Sequence, residues 1–144
     1  MRNARIAGAL LLGIASLAGC SNESVFDLQV GTCVNTPTEA TEVATLPTVN
    51  CSEEHDAEVF AVLDLTGIVS FDQVTVVNEA NTMCIEEFES YVGVDYFDER
   101  AIDLGVRSIT PSEESWAAND RGVTCLVVSF VGEKLTGSVK DSLG

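Results

Sequence analysis

Five cysteines in 144 residues, at positions 20, 33, 51, 84 and 125, constrain this chain more than any other feature. Cys20 closes a short apolar run at the N-terminus, whereas Cys33, Cys51, Cys84 and Cys125 are spread through the remainder. An even set of well-spaced cysteines in an exported domain implies two disulfides, with three possible pairings. The favoured pairing joins Cys33 to Cys51 and Cys84 to Cys125, because each bond then links segments expected to pack together. The competing use is a metal held by four thiolates, but no C-x-x-C spacing occurs.

The N-terminus supplies the case for export. Residues 1–5 contain Arg2 and Arg5 and no acid, and residues 6–18 are apolar except at Gly8, Gly13 and Ser16. A charged start followed by thirteen such residues is the secretory-signal pattern. At 1.5 Å per residue the run reaches only about 20 Å, short of a hydrocarbon core of about 30 Å, so no mature spanning helix is expected. Leu17-Ala18-Gly19-Cys20 resembles a bacterial lipobox: a thiol to receive diacylglycerol, preceded by small side chains that let a peptidase reach the bond. The alternative is an ordinary signal peptide whose cleavage leaves a cysteine nearby. The expected organisation is a lipoprotein signal peptide over 1–19, a lipidated tether over 20–24 and an extracytoplasmic domain over 25–144. The implied partner is the membrane, held through acyl chains on Cys20. Each buried methylene contributes about 0.8 kcal/mol, and two or three chains anchor stably where one does not.

Composition sharpens this picture. The chain carries 23 acids against 7 bases, a net charge of −16. A signal over 1–19 would remove two of those bases and no acid, leaving −18. A nucleic-acid partner is excluded by the lack of a clustered basic surface. With 46% apolar residues the chain is not a disordered acidic tail, and its length suits one domain.

The hydrophobic pattern predicts an α+β domain, a small antiparallel or mixed sheet packed by one main helix. Phe26, Leu28 and Val30 alternate toward Gly31 as a strand would, and residues 43–49 form an apolar run that Pro47 demotes to an edge strand or loop. Residues 57–65 carry apolar side chains on both faces, with Val59, Ala61, Leu63 and Leu65 opposite Phe60 and Val62, which predicts a central strand. Ser70 and Gln73 read as a capping box and Val69 with Val74 as a hydrophobic staple, opening a helix over about 70–92. Its buried stripe is expected to run through Val74, Val77, Cys84, Phe88 and Tyr91, with Gly93 ending it. Thr110-Pro111-Ser112-Glu113 reads as a second box, starting a short helix over about 111–118 that carries Trp116. Residues 121–131 predict a second central strand, and residues 135–139 a last one.

Several segments together resemble the septum formation domain of actinobacterial envelope proteins. They are Val25-Phe26-Asp27-Leu28-Gln29-Val30-Gly31-Thr32-Cys33, Cys51-Ser52-Glu53-Glu54-His55-Asp56-Ala57-Glu58-Val59, Tyr91-Val92-Gly93, Pro111-Ser112-Glu113-Glu114-Ser115-Trp116, Asp120-Arg121, Thr124-Cys125 and Leu135-Thr136-Gly137-Ser138. The similarity spans roughly residues 25–140, and it departs at Thr32, where the family often has an acid. It implies an envelope protein linked by name to division septa, with envelope or division proteins as possible partners. It implies no enzyme activity and no cofactor.

Chemistry has few candidates. His55, the single histidine, could ligate a metal with Asp56 or act as a base oriented by it. A catalytic zinc usually takes three protein ligands, so a structural ring hydrogen-bonded to its loop is the expectation. Asp95, Asp98, Glu99 and Asp103 lack calcium-loop spacing and read as a solvated acidic loop. Trp116 is expected in the core rather than as an exposed recognition aromatic. Arg121 is expected in an internal ion pair rather than on a carboxylate ligand. No G-x-S-x-G elbow occurs, and the expected function is a non-enzymatic binding module of the envelope. The alternatives are a metal-dependent hydrolase or metal sensor using His55 and Asp56, and a small-ligand-binding lipoprotein.

Overall fold

The computed structural model describes residues 21–36 and 43–144. The expected signal peptide over 1–19, the lipobox-like segment ending in Cys20, and Pro37 in the turn-like stretch lie outside the described residues. In chain order the elements are β1 (Ser21–Ser24), β2 (Cys33–Val34), β3 (Thr45–Val49), β4 (Glu54–His55), β5 (Ala57–Asp64), α1 (Gln73–Val92), a 3-10 turn (Glu99–Ala101), β6 (Leu104–Ile109), α2 (Glu113–Ala117), β7 (Gly122–Ser129) and β8 (Leu135–Thr136). Six strands form one sheet in the order β1-β3-β2-β5-β7-β6, and β4 pairs with β8 in a small separate ribbon. Every pairing among them is antiparallel. Since β5 and β6 both run against β7, they are parallel to each other, and α1 bridges them in a split β-α-β unit.

Apolar side chains on both faces of β5 and β7 place these strands inside the sheet, each with a neighbour on both sides, as their composition predicts. On one face Phe60, Ala61, Val123, Cys125 and Val127 pack against α1 residues that include Val76, Cys84 and Phe88. On the other, Ala57, Val59 and Leu126 meet Val25, Leu28, Val34 and Leu46. The register of β5 slips between Val59 and Ala61. That bulge turns the strand over, so Val59 serves the second core and Ala61 the first, although the alternation puts them on one face.

Helix α1 begins two residues later than its sequence suggests. Asp72 is the N-cap, accepting from the Thr75 N–H at 2.8 Å, and Val69 and Val74 are 94% and 68% exposed, so no staple forms. The buried stripe is accordingly Val76, Ala80, Cys84, Phe88 and Tyr91. Gly93 closes the helix at φ 97°, as expected. The cap of α2 is likewise shifted: Ser112, not Thr110, caps it, with Ser115 completing the box.

Three strand expectations need correction. Residues 26–30 form no strand. A turn closed by Asp27 N–H on the Ser24 carbonyl leaves Phe26 and Val30 exposed and buries Val25 and Leu28. Strand β3 lies inside the sheet, between β1 and β2; the Pro47 carbonyl still accepts from Asn35 N–H at 2.9 Å, so the ring forfeits only a donor. The last strand stops at Thr136, where Gly137 takes φ 84°. Strand β6, at the sheet edge, is poorly marked in the sequence because the alternation begun by Leu104 and Val106 is broken at Ser108 and Ile109.

The two disulfides are Cys33–Cys51 and Cys84–Cys125, closing separations of 18 and 41 residues. In the chain-entropy account they stabilise by about 3 and 4 kcal/mol. The first ties β2 to the loop before β4, and the second pins α1 to β7.

Candidate functional site

Two places among the described residues concentrate chemistry: a buried polar cluster at the start of β5 and an apolar groove beside β6. The polar cluster centres on Glu58, an acid between Ala57 and Val59 that is fully buried. Tyr91 Oη donates to its Oε1 at 2.6 Å, Ser138 Oγ donates to the same oxygen, and Val139 N–H donates to Oε2 at 2.8 Å. A buried carboxylate is tolerable only with such partners, and here they come from α1 and the C-terminal segment. Glu58 therefore fastens both to the sheet. Burial above all, and then the neighbouring carboxylate, push the Tyr91 phenol well above its ordinary value of 10.

His55 is also fully buried. Its Nδ1 lies 2.8 Å from the Glu53 carbonyl, which can only accept, so Nδ1 carries the hydrogen. Nε2 is buried and makes no hydrogen bond to any described residue. A ring nitrogen of His55, the Cys33 sulfur and a Glu58 carboxylate oxygen all lie within 4.8 Å of one another. An unsatisfied buried polar atom costs about 1–3 kcal/mol, so this arrangement is not neutral for stability.

Asp56 does not join them. Its carboxylate accepts from Thr36 N–H at 2.8 Å and pairs with Lys134, so the His55–Asp56 combination suggested by adjacency is not assembled. Alternation in the chain sends neighbouring side chains to opposite sides. Glu58, Tyr91 and Ser138 escape the sequence reading as site residues, although each falls in a segment that carries the family resemblance. The available signal was an acid inside a strand otherwise apolar on both faces.

Trp116 is buried and packs on Phe71 at 5.8 Å, as expected of a core residue. Arg121 differs from expectation: its guanidinium stacks 3.5 Å over the Trp116 ring and donates to the Trp116 and Asp120 carbonyls. The ion pairs among the described residues are instead Asp98–Arg100 and Asp56–Lys134. In the acidic loop, Asp98 caps the 3-10 turn, and its hydrogen bonds from Arg100 lower its pKa to about 2.

The groove measures about 280 Å³ and is floored by Tyr96, Ala101 and Leu104, with Phe97, Ile102 and Phe130 around it. Phe97, Ile102 and Phe130 are 79%, 72% and 73% exposed. Aromatic edges connect the groove to the core, with Phe60–Phe88 at 5.9 Å, Phe88–Tyr96 at 5.2 Å and Tyr96–Phe97 at 5.2 Å. The rings are thus presented from a packed base. Asp98 and Glu99 also line the groove, and β6, the edge strand, runs alongside.

The family model described as Septum formation matches residues 7–125, most of the chain. That range includes Glu58 and the four disulfide cysteines and stops short of Ser138. No curated protein and no solved structure matches the chain. Among the described residues no helix is long and apolar enough to cross a membrane.

Proposed function

The chain belongs to the septum formation family, and from that premise we propose that it is a membrane-anchored extracytoplasmic lipoprotein that binds other envelope or division proteins without catalysing a reaction. Acyl chains on Cys20 hold it to the outer face of the membrane, and the folded domain, whose sheet already takes in Ser21–Ser24 as β1 where the sequence suggests a tether, does the binding. The apolar groove around Phe97, Ile102 and Phe130 carries this reading. Large apolar side chains exposed together, rimmed by polar groups and backed by a packed core, are what an interaction surface requires. An edge strand beside them offers unpaired backbone groups to an extended partner segment. Asp56 is held by the Thr36 N–H and Lys134 rather than by His55, which supports a binding role over a hydrolytic one built on that pair.

Two measurements test the proposal. A photo-crosslinking residue at position 97 or 130 in living cells is expected to capture a discrete protein, whereas one at the exposed Val62 on β5 is not. Equal capture from both faces would overturn the docking surface. Labelled palmitate is expected to enter the wild-type chain and not Cys20→Ala; unchanged labelling would overturn the anchor.

A further inference from the structure

We propose that the Cys33–Cys51 disulfide masks a metal site, and that its reduction lets Cys33, His55 and Glu58 bind a borderline divalent ion of the zinc class. The inference goes beyond the docking role and is independent of it. It starts from the histidine. Metal-bound histidines characteristically donate one ring N–H to a carbonyl or carboxylate, which fixes the tautomer and leaves the other nitrogen as the ligand. His55 already has this arrangement: Nδ1 is held by the Glu53 carbonyl, and Nε2 is buried with no described partner.

The other two donors are in place. Ligand atoms of Cys33, His55 and Glu58 lie within 4.8 Å of one another, and all three residues are buried. Around a tetrahedral zinc with bonds of about 2.0–2.3 Å, ligand atoms stand about 3.5 Å apart, so closure requires movements of about 1 Å. Glu58 accepts three hydrogen bonds, one of them on Oε2, leaving a lone-pair direction available on that oxygen. A thiolate, an imidazole and a carboxylate suit zinc or cobalt better than calcium or magnesium, and three protein ligands leave one position for water.

In the oxidised protein the sulfur is committed to Cys51 and the site is closed. A dithiol reductant opens it: two electrons pass to the disulfide, giving Cys33 and Cys51 thiols while the reductant becomes a disulfide. Binding then replaces the Cys33 thiol proton, which leaves to solvent, by the metal. Cys51 belongs to a partly exposed turn and can withdraw, which provides both the switch and the way in.

Cys51→Ser frees Cys33 without any reductant and leaves Cys84–Cys125 intact. In the full chain this variant is expected to bind one equivalent of Co²⁺ with a near-ultraviolet thiolate-to-cobalt charge-transfer band, while the oxidised wild type shows none. Cys33→Ser/Cys51→Ser lacks the same disulfide, so it controls for folding, and it should lose the band. Adding His55→Ala to Cys51→Ser should weaken binding at least about tenfold. Should Cys51→Ser fail to fold, wild-type protein reduced by a phosphine is compared with reduced His55→Ala: Zn²⁺ raises Tm only in the former. No band in folded Cys51→Ser, equal Co²⁺ binding by the double serine variant, or equal Tm shifts in the reduced proteins would overturn the site.

Discussion

Glu58 and Tyr91 show how one buried carboxylate can organise an otherwise apolar core. The Tyr91 hydroxyl must be a donor, because Glu58 Oε1 stands 2.6 Å away, and ionising the phenol would bring two negative oxygens together. The folded pKa lies above the ordinary value of 10, so the neutral phenol stabilises the fold fully below pH 10, and that contribution is lost as pH rises above it. Alkaline unfolding followed by circular dichroism should therefore begin above pH 10 in the wild type, with phenolate absorbance from Tyr91 appearing together with unfolding. Tyr91→Phe removes that contribution and costs about 1–3 kcal/mol at neutral pH, because Glu58 loses a donor. A Tyr91 phenolate signal preceding loss of structure would contradict the assignment. Gly93 gives a second residue-scale expectation. At φ 97°, with the backbone of Gly144 2.8 Å from where a Cβ would stand, Gly93→Ala should cost about 1–3 kcal/mol in urea denaturation.

At the scale of elements, the disulfide between Cys84 and Cys125 reinforces a contact that the buried stripe of α1 already makes with the sheet. It spans 41 residues, against 18 for Cys33–Cys51, and joins α1 to a central strand inside the first core. Cys84→Ala/Cys125→Ala should lower stability by about 2–5 kcal/mol and by more than Cys33→Ala/Cys51→Ala, as read by Tm or urea midpoint. A larger loss from the shorter loop would show that native contacts, not chain entropy, dominate. Element boundaries were less legible than element identities. The sequence reading takes Ser70 as the cap of α1, whereas Asp72, whose carboxylate accepts from the Thr75 N–H, holds that position. Strand β6 was hidden because its alternation lasts only four residues: Ser108 stands where the row facing α1 would carry a third apolar side chain, and Ile109 puts one on the other face.

For the whole molecule, the two cores lie on opposite faces of one sheet and share β5 and β7, so neither can melt alone without exposing the other. Trp116 belongs to the first core, and the sequence contains no other tryptophan. With disulfides intact, its fluorescence and the far-ultraviolet circular dichroism should report one coincident urea transition; two separated midpoints would mean that the faces unfold independently. Patterns carried within short stretches determined much of this protein in advance: the α+β class, the central strands, the main helix and the number of disulfides, with the observed pairing favoured among three. Such patterns are local consequences of side-chain periodicity and of cysteine count. The bulge that turns β5 over, the meeting of Glu58 with Tyr91 and Ser138, and the apposition of His55 with Cys33 were decided only by tertiary structure. Each joins positions that are distant in sequence or displaced by a single residue of register, and no single-chain periodicity encodes which segments will meet.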